Sequence, residues 1–357
     1  MRPNTQHTWR DRIIRCDGPT LYVVTGAVVL LVLVLLWARV VSPTSQDEVV
    51  LEEAPTAYTG PRHPLTGAPI DEEIRPAVYA VVIENATDAR PQDGINRAFL
   101  VMEAPVEGDI TRWLAFFSAD EAVEEIGPVR SARPYFVEWA MDFDALFAHV
   151  GGSPEALTLL RSRGASDMDE FFNTSTFWRS RRRAAPHNVY TESARLEAAF
   201  ERIAPRDVSY EPFLFEEIQP TVNEAQEIRI SYGNRFYDVS WRFDAETNRY
   251  TRYHGDTKHT MRDGSALEAS NVIVMLTDVR IIDDEGRKRI RTEGMGDAIF
   301  LRAGLQEALT WRREASDTRT HFVFKDGKEA ALVPGVTWIH VVPIGAEIDF
   351  ENKPAAP

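Results

Sequence analysis

The feature that most constrains this chain is an uninterrupted apolar run near its N-terminus. Residues 21–38 read LYVVTGAVVLLVLVLLWA, eighteen residues without a charge. As a helix rising 1.5 Å per residue, such a run is about 27 Å long, close to the thickness of the hydrocarbon core of a bilayer. The sequence therefore predicts a transmembrane anchor at residues 21–41, preceded by a cytoplasmic N-terminus of residues 1–20.

Charge on the two sides of this run predicts its orientation. The first 41 residues carry five arginines and two aspartates, a net charge of +3, which leaves −18 for the rest of a chain whose formal net charge is −15. Four of the arginines precede the run, so the positive-inside rule places the N-terminus in the cytoplasm and the body outside. A cleaved signal peptide is the alternative, although 37–42 makes a poor cleavage site. We therefore predict a single-pass protein of the cell membrane with an extracytoplasmic body.

Composition and missing motifs exclude several functions. An acidic body argues against a nucleic-acid partner, since phosphate binding needs a basic surface. The single cysteine, Cys16, precedes the apolar run, so the exported part has no disulfides. The sequence lacks zinc-binding patterns, the phosphate-binding G-x-x-x-x-G-K-[ST] loop and the G-x-S-x-G nucleophile motif. No metal and no cofactor are predicted.

The composition and the hydropathy pattern of the remaining sequence predict two domains. Residues 42–77, rich in Pro, Thr, Gly and acidic residues, predict a linker. Between 78 and 216, apolar runs alternate with helical patterns, which predicts a layered α/β first domain. Residues 222–345 alternate with a period of two, which predicts a mostly antiparallel β second domain, and 346–357 form a tail. The predicted fold class is α+β or α/β, behind an N-terminal transmembrane helix.

Two glycine- and arginine-containing turns predict an anion site in the first domain. Arg130 and Arg133 flank Ser131 at the expected start of a helix, where guanidinium groups join free backbone N–H groups. In the alternative, both arginines pair with internal carboxylates such as Glu103, Glu107 or Asp142. A second turn, Gly151, Gly152 and Ser153, lies between an expected strand and helix, with Ser153 as N-cap.

A cluster of arginines follows these turns. Six arginines occupy 23 positions of an otherwise acidic body, and His187 and Asn188 come directly after the cluster; the arginines are Arg161, Arg163, Arg179, Arg181, Arg182 and Arg183. Arginine is suited to bidentate recognition of phosphate or carboxylate. A solvated charged loop is the alternative.

Four side chains are candidates for acid–base chemistry. His149 lies at the end of an expected strand, and His187 follows a proline. Glu103 and Glu107 form a possible pair of carboxylates of the kind used in glycoside hydrolysis. A structural, hydrogen-bonded role is the alternative for each of them.

Many ordered pieces of the sequence resemble the YerB-like family of bacterial envelope proteins, which carry the domain of unknown function 3048. They include 84–85, 89–94, 107–112, IGPVRSARPY, HVGGSPEA, FWR and APHNVYT, followed by 269–272, 294–296, Trp311 and GVTW. The resemblance covers roughly 75–343 and implies a bacterial, two-domain, membrane-tethered extracytoplasmic protein with no established activity. Many relatives look like lipoproteins, whereas no cysteine follows the apolar run here. The residues that match the motifs are Arg90, Glu103, Glu107, Arg112, Arg130, Arg133, His149, Gly151, Gly152, Arg179, His187 and Asn188.

Three functions remain open at this point. The first is binding of an anionic, cell-wall-related ligand through Arg112, Arg130, Arg133, Gly151, Gly152, Ser153, Arg179 and Asn188. The second is a hydrolase or transferase acting on cell-wall polymer, with His149, His187, Glu103 or Glu107 transferring protons. The third is a scaffold that holds envelope protein partners through the β-rich second domain.

Overall fold

The computed structural model describes residues 30–32, 58–203, 207–221, 227–314 and 319–351. The chain divides into Met1–Ala57 and a compact unit, Tyr58–Pro357. Apart from residues 30–32, which are helical, the predicted anchor at 21–41 lies outside the described residues. Among the helices that are described, none combines the length and the apolar character needed to cross a bilayer.

The compact unit is built mainly from strands. Their bounds are β1 Val78–Glu84, β2 Leu100–Pro105, β3 Thr111–Ser118, β4 Leu146–His149, β5 Asp167–Asp169, β6 Trp178–Arg179, β7 Val189–Tyr190, β8 Glu227–Ile230, β9 Val239–Asp244, β10 Arg249–His254, β11 Thr257–Lys258, β12 Glu268–Ala269, β13 Asn271–Thr277, β14 Val279–Ile281, β15 Lys288–Ile290, β16 Gly294–Arg302, β17 Leu305–Arg313, β18 His321–Val323, β19 Thr337–Pro343 and β20 Ile348–Glu351.

A ten-stranded sheet, which we call the main sheet, has the order β18-β17-β16-β13-β19-β2-β3-β1-β4-β5. It is mixed, because β19 pairs in parallel with both β13 and β2, and β4 pairs in parallel with β1 and β5. A second sheet of six strands contains β8 to β12 and β20, while β14 and β15 form a separate hairpin. Strands from both halves of the sequence thus share one sheet.

Both faces of the main sheet are buried. Side chains alternate along a strand, and Val78, Ala80 and Val82 of β1 pack into one hydrophobic cluster while Tyr79 and Val81 pack into another. The first cluster includes residues of the helix that follows β3, and the second includes residues of the six-stranded sheet. Burial on both sides explains why β1 reads as a continuous apolar run.

Three α-helices lie in the described part of the compact unit: α1 Pro134–Met141, α2 Pro154–Arg163 and α3 Ser193–Ile203. Ser153 caps α2, since its side chain accepts a hydrogen bond from Ala156 N, and α2 ends at Gly164 with φ of 66°. This strand, glycine turn and capped helix are what the sequence predicts.

The predicted fold class is wrong. The molecule is mostly β, with large sheets and short helices, and is neither a layered α/β fold nor, in its described residues, one with a transmembrane helix. The prediction treats the apolar runs as buried strands interleaved with helices. They are instead central strands whose second face is covered by another sheet.

Candidate functional site

The candidate site lies where β1 ends and β3 begins. Pairing of these antiparallel strands places Glu84 opposite Arg112. The segment before α1 lies beside them, since Arg130 N donates to Val82 O at 2.8 Å and Val150 N donates to Arg130 O at 3.0 Å. Arg130 is therefore fixed between the ends of β1 and β4.

The carboxylate of Glu84 joins two of the predicted residues. Arg130 Nε donates to Glu84 Oε1 at 3.0 Å, and His187 Nδ1 lies 2.8 Å from Glu84 Oε2. Only 6% of the Glu84 side chain is exposed. In the described part of the chain, His187 Nε2 and the two terminal nitrogens of Arg130 have no hydrogen-bond partner. Glu84 is not among the site residues predicted from the sequence, although an acidic residue at the end of an apolar strand is a pattern that indicates such a site.

Arg112 is a buried cation without a direct counter-ion. Its exposed fraction is 7%, and its Nη1 donates to the carbonyl of Ser131 at 2.8 Å. No carboxylate of the described residues forms an ion pair with it. Burial, and then the charge of Arg133, lower the pKa of Arg112 to about 10, against smaller opposing effects of Glu107 and Glu84.

Arg133 is already neutralised. Its Nε and Nη2 donate to the two carboxylate oxygens of Glu107 at 2.7 and 2.5 Å. Burial tends to raise the pKa of Glu107, but the bonds and charge of Arg133 lower it. For Arg133 with Glu107, and for Arg130 with Glu84, the structure therefore shows the internal pairing that the sequence left open.

The glycine turn is filled by internal hydrogen bonds. Gly151 N donates to Asp169 Oδ1 at 2.9 Å, and Ser153 N donates to Ala132 O at 3.2 Å. Gly151 has φ of 57°, which favours glycine. At Gly152 an added Cβ would come within 3.0 Å of Ala132 Cβ. The turn thus serves close packing against the segment that holds Arg130.

His149 is a structural residue in this molecule. It is fully buried, its Nδ1 lies 2.7 Å from Gly151 O, and its Nε2 lies 2.7 Å from Asp167 Oδ1. Both ring nitrogens are used, so neither is open to a substrate.

Glu103 is the centre of a buried cluster between the two large sheets. Arg252 Nη2 donates to both of its carboxylate oxygens at 3.0 Å, and Thr111 Oγ1 and Trp338 Nε1 donate at 2.7 and 3.0 Å. The side chains of Glu103 and Arg252 are both 0% exposed. Burial tends to raise the pKa of Glu103, but Arg252, His340 and the hydrogen bonds lower it to about 2.

Three neutral histidines complete this cluster, and donor geometry fixes their tautomers. His254 Nε2 and His259 Nδ1 both accept from Arg252 Nη1, at 2.8 and 2.6 Å, and His340 Nε2 accepts from Trp241 Nε1 at 2.7 Å. Burial, with the charge of Arg252, lowers the pKa values of His254 and His340 to about 3 and that of His259 well below its usual value.

Arg179 and Asn188 bond to each other on the β6–β7 hairpin. Arg179 Nη1 donates to Asn188 Oδ1 at 3.2 Å, and Arg179 Nη2 donates to both oxygens of Glu170 at 3.0 and 3.2 Å. Arg182 pairs with Glu125. Arg179 and Arg182 are thus held by acidic residues of the same molecule, whereas Arg183 donates to the carbonyls of Asp88, Arg90 and Pro91.

The four acid–base candidates each bond to a different partner and do not form one cluster. His149 bonds to Asp167, Glu103 to Arg252, Glu107 to Arg133 and His187 to Glu84. The residues that the structure brings together are Arg112, Arg130 and His187, beside Glu84. We call these four side chains the Arg112 site.

One group in the described residues has the composition of a metal site. Ligand atoms of Glu211, His321 and Glu329 lie within 4.8 Å of one another. Arg319 already donates to Glu329 Oε1 at 2.6 Å and to Glu211 Oε1 at 3.4 Å. Its guanidinium therefore supplies the positive charge that these carboxylates need.

Comparisons with known proteins agree on one family. The model of the protein of unknown function (DUF3048) N-terminal domain matches residues 65–206, and that of its C-terminal domain matches 228–339. "Putative lipoprotein YerB" of Bacillus subtilis (strain 168) is 35% identical over 290 residues, covering 78% of this chain and 86% of that protein.

A solved structure matches as well. The crystal structure of the YerB protein from Bacillus subtilis is 34% identical, with a TM-score of 0.72, and the match covers 81% of this chain and 99% of that one. The chain belongs to the YerB-like family of DUF3048 proteins.

Proposed function

We propose that the protein is a membrane-associated extracytoplasmic envelope protein that binds an anionic ligand at the Arg112 site. Two observations support the location: the relative in Bacillus subtilis is named a lipoprotein, and residues 21–38 are apolar and free of charge. Fractionation of cells that express the full chain tests it. The chain is expected in the membrane fraction and to be degraded by protease added outside; recovery in the cytosol would contradict it.

The single observation that carries the ligand proposal is the burial of Arg112 without a counter-ion. Its guanidinium is almost wholly removed from water, yet its direct polar bond goes to a carbonyl and not to a carboxylate. Burying a cation without a counter-ion is costly, so such an arrangement favours an anion that supplies the missing charge.

The neighbours of Arg112 suit the same ligand. Arg130 gives its Nε to Glu84 and keeps its terminal nitrogens free, and 26% of its side chain is exposed. His187 likewise has Nε2 available. We expect a phosphate or carboxylate group to accept hydrogen bonds from Arg112, Arg130 and His187, and these donors to offset repulsion by the carboxylate of Glu84.

Binding of inorganic phosphate and glycerol 3-phosphate to the fragment 58–357 tests this proposal. The fragment is a compact unit, and the match to the solved relative covers 81% of this chain and 99% of that one. Calorimetric titration should show saturable binding that weakens with salt, because exposed charge interactions are screened. Wall fragments from the same cells should compete if the natural ligand is a wall polymer.

Two variants separate binding from a structural role. Arg112→Gln should abolish binding and leave the unliganded fragment equally or more stable, because an unpaired buried charge is removed. Arg130→Gln should weaken binding about tenfold or more. Arg249→Gln, at an exposed arginine of β10, is the matched control and should bind like the original. Unchanged binding in the Arg112 variant would rule out this site.

A second function rests on the Glu84–His187 pair. A carboxylate that holds Nδ1 of a histidine orients the ring and leaves Nε2 for proton transfer, as in a general base. Of the four acid–base candidates, His187 alone keeps such a nitrogen in the described structure. Hydrolysis of a chromogenic phosphate monoester, followed against pH, tests this function. Activity that survives in His187→Gln would exclude it.

A further inference from the structure

A cleft of about 710 Å³ lies between the β14–β15 hairpin and the beginnings of α1 and α2. We call it the hairpin cleft. Arg133 and Ser153 line it on the helical side, and residues from 278–282 and 287–293, without Val279, line the other side. Its volume is within the range of small-molecule sites, about 300–1,000 Å³.

The lining of the hairpin cleft is basic in an acidic chain. Six cationic residues line it, against four acidic ones; the cations are Arg133, Arg280, Arg287, Lys288, Arg289 and Arg291, and the acids are Glu138, Glu155, Asp278 and Glu293. The net charge of +2 contrasts with −15 for the whole chain. Four of the six cations are paired with carboxylates, and three of them pair with acidic residues outside the lining: Arg133 with Glu107, Arg287 with Asp283 and Lys288 with Asp109. Attraction of an anion therefore depends on the two remaining cations.

Two of these cations are not neutralised by the protein. In the described structure neither Arg289 nor Arg291 forms an ion pair. Arg291 Nη1 donates to the carbonyls of Glu293 and Met295 at 3.2 and 3.0 Å, and its guanidinium lies 4.8 Å from the ring centre of Trp311. Arg291 is thus held in place by neutral groups, with its charge left for a ligand.

The same cleft has an apolar rim. Ile281 and Ile282 of the hairpin line it and are 66% and 40% exposed, and Leu159 and Pro134 line the helical side. In the register of the hairpin, Arg280 lies opposite Arg289 and Ile281 lies opposite Lys288, so Ile282 shares a face with Arg289 and Ile281 lies on the other face. An exposed isoleucine beside unpaired arginines offers complementary contacts to a molecule with an anionic head and an aliphatic chain.

We propose that the hairpin cleft binds an anionic amphiphile, with its head group against Arg289 and Arg291 and its chain against Ile282 and Leu159. This site involves different cations from the Arg112 site and does not depend on the function proposed there. The shared chemistry is an alkyl phosphate, which a free amphiphile and a phospholipid head group both present.

Titration of fragment 58–357 with monomeric decyl phosphate tests the proposal. Saturable binding is expected, at least tenfold tighter than binding of decyl glucoside, which has the chain without the charge. Inorganic phosphate, which has the charge without the chain, should not displace decyl phosphate at equal concentration. Equal binding of decyl phosphate and decyl glucoside, or no binding of either, would overturn the proposal.

Substitutions locate the site. Arg289→Ala with Arg291→Ala should weaken decyl phosphate binding tenfold or more, and Ile282→Ser should weaken it several-fold. Arg289→Glu alone should also weaken it, and this exposed residue can be changed without disturbing Trp311. Arg249→Ala should bind normally. If none of the cleft variants weakens binding, the proposal fails.

Flotation with vesicles distinguishes the two sources of the ligand. Binding to phosphatidylglycerol but not to phosphatidylcholine vesicles, lost in the Arg289 and Arg291 double variant, would assign the site to a head group in a bilayer. Binding of monomeric decyl phosphate without flotation would assign it to a free amphiphile. Both results support an anionic amphiphile as the ligand.

Discussion

At the scale of single residues, the buried charged side chains differ in their partners: Arg112 donates to a carbonyl, whereas Glu103 is paired with Arg252. Arg112, Arg130 and His187 were predicted site residues and lie together, whereas Glu103 and His149 were predicted acid–base groups and are bonded into the interior. The difference depends on partners that are distant in sequence, since Arg252 is 149 positions from Glu103. No local pattern predicts such a pairing.

Glu103 and Arg252 lead to a first prediction, about stability. Glu103→Gln removes one charge of a fully buried pair and leaves Arg252 uncompensated, so the free energy of unfolding should fall by about 3–5 kcal/mol. Urea denaturation of fragment 58–357 measures this. Glu124→Gln, at an exposed glutamate, is the matched control and should change stability by less than about 0.5 kcal/mol. A comparable small change in both variants would show that the pair contributes little.

The buried histidines lead to a second prediction, about pH. Folding lowers the pKa values of His254 and His340 to about 3, from about 6.5 in the unfolded chain. Between these values the unfolded state binds more protons, so the free energy of unfolding should fall as pH drops below about 6.5. The low pKa of Glu103, about 2, adds a further loss only below about pH 4.3.

Urea denaturation at pH 7.5, 5.5 and 4.5 separates these contributions. A loss already evident at pH 5.5 is expected from the histidines, and it should be smaller in His254→Gln, which cannot be protonated. An unchanged loss in that variant would show that His254 does not contribute to it.

At the scale of elements, local residue preferences predicted the start of α2 correctly, but the sequence did not predict which elements cover the apolar strands. Ser153 and Pro154 at the start of α2, and the glycine turn before them, follow from N-cap preferences and the conformational freedom of glycine. Those preferences act within a few residues. Whether an apolar strand is covered by a helix or by a sheet depends on segments far along the chain, and β1 is covered on one side by the six-stranded sheet.

The cap of α2 gives a prediction at this scale. Ser153→Ala removes the acceptor for Ala156 N, which lies 3.3 Å from Ser153 Oγ, so unfolding free energy should fall by about 1 kcal/mol. Ser162→Ala, at an exposed position inside the same helix, should not destabilise, because alanine favours the helix. Thermal denaturation of both variants measures the difference, and equal midpoints would contradict the capping role.

At the scale of the whole molecule, the two segments matched by the two family models form one sheet. In the parallel pairing of β19 with β2, Trp338 lies opposite Val101, and Trp338 Nε1 reaches Glu103 Oε2 across 235 positions. Both segments are predicted from their composition and hydropathy pattern, but long-range parallel pairing leaves no local pattern in a sequence. The domain boundary at 216–222 remains a prediction, whereas each of the two hydrophobic clusters contains residues from both segments.

This shared sheet predicts that the first segment needs the second in order to fold. Expressed alone, residues 58–216 would expose the hydrogen-bonding edge of β2 and leave Glu103 without Arg252. They should therefore show little chemical-shift dispersion in NMR spectra and should aggregate, and co-expression of residues 222–357 should restore a soluble complex. Fragment 58–357 should in turn unfold in a single calorimetric transition. An isolated first segment with dispersed spectra and cooperative unfolding would show that it folds independently, and that the pairing of β2 with β19 is a docking contact between two domains.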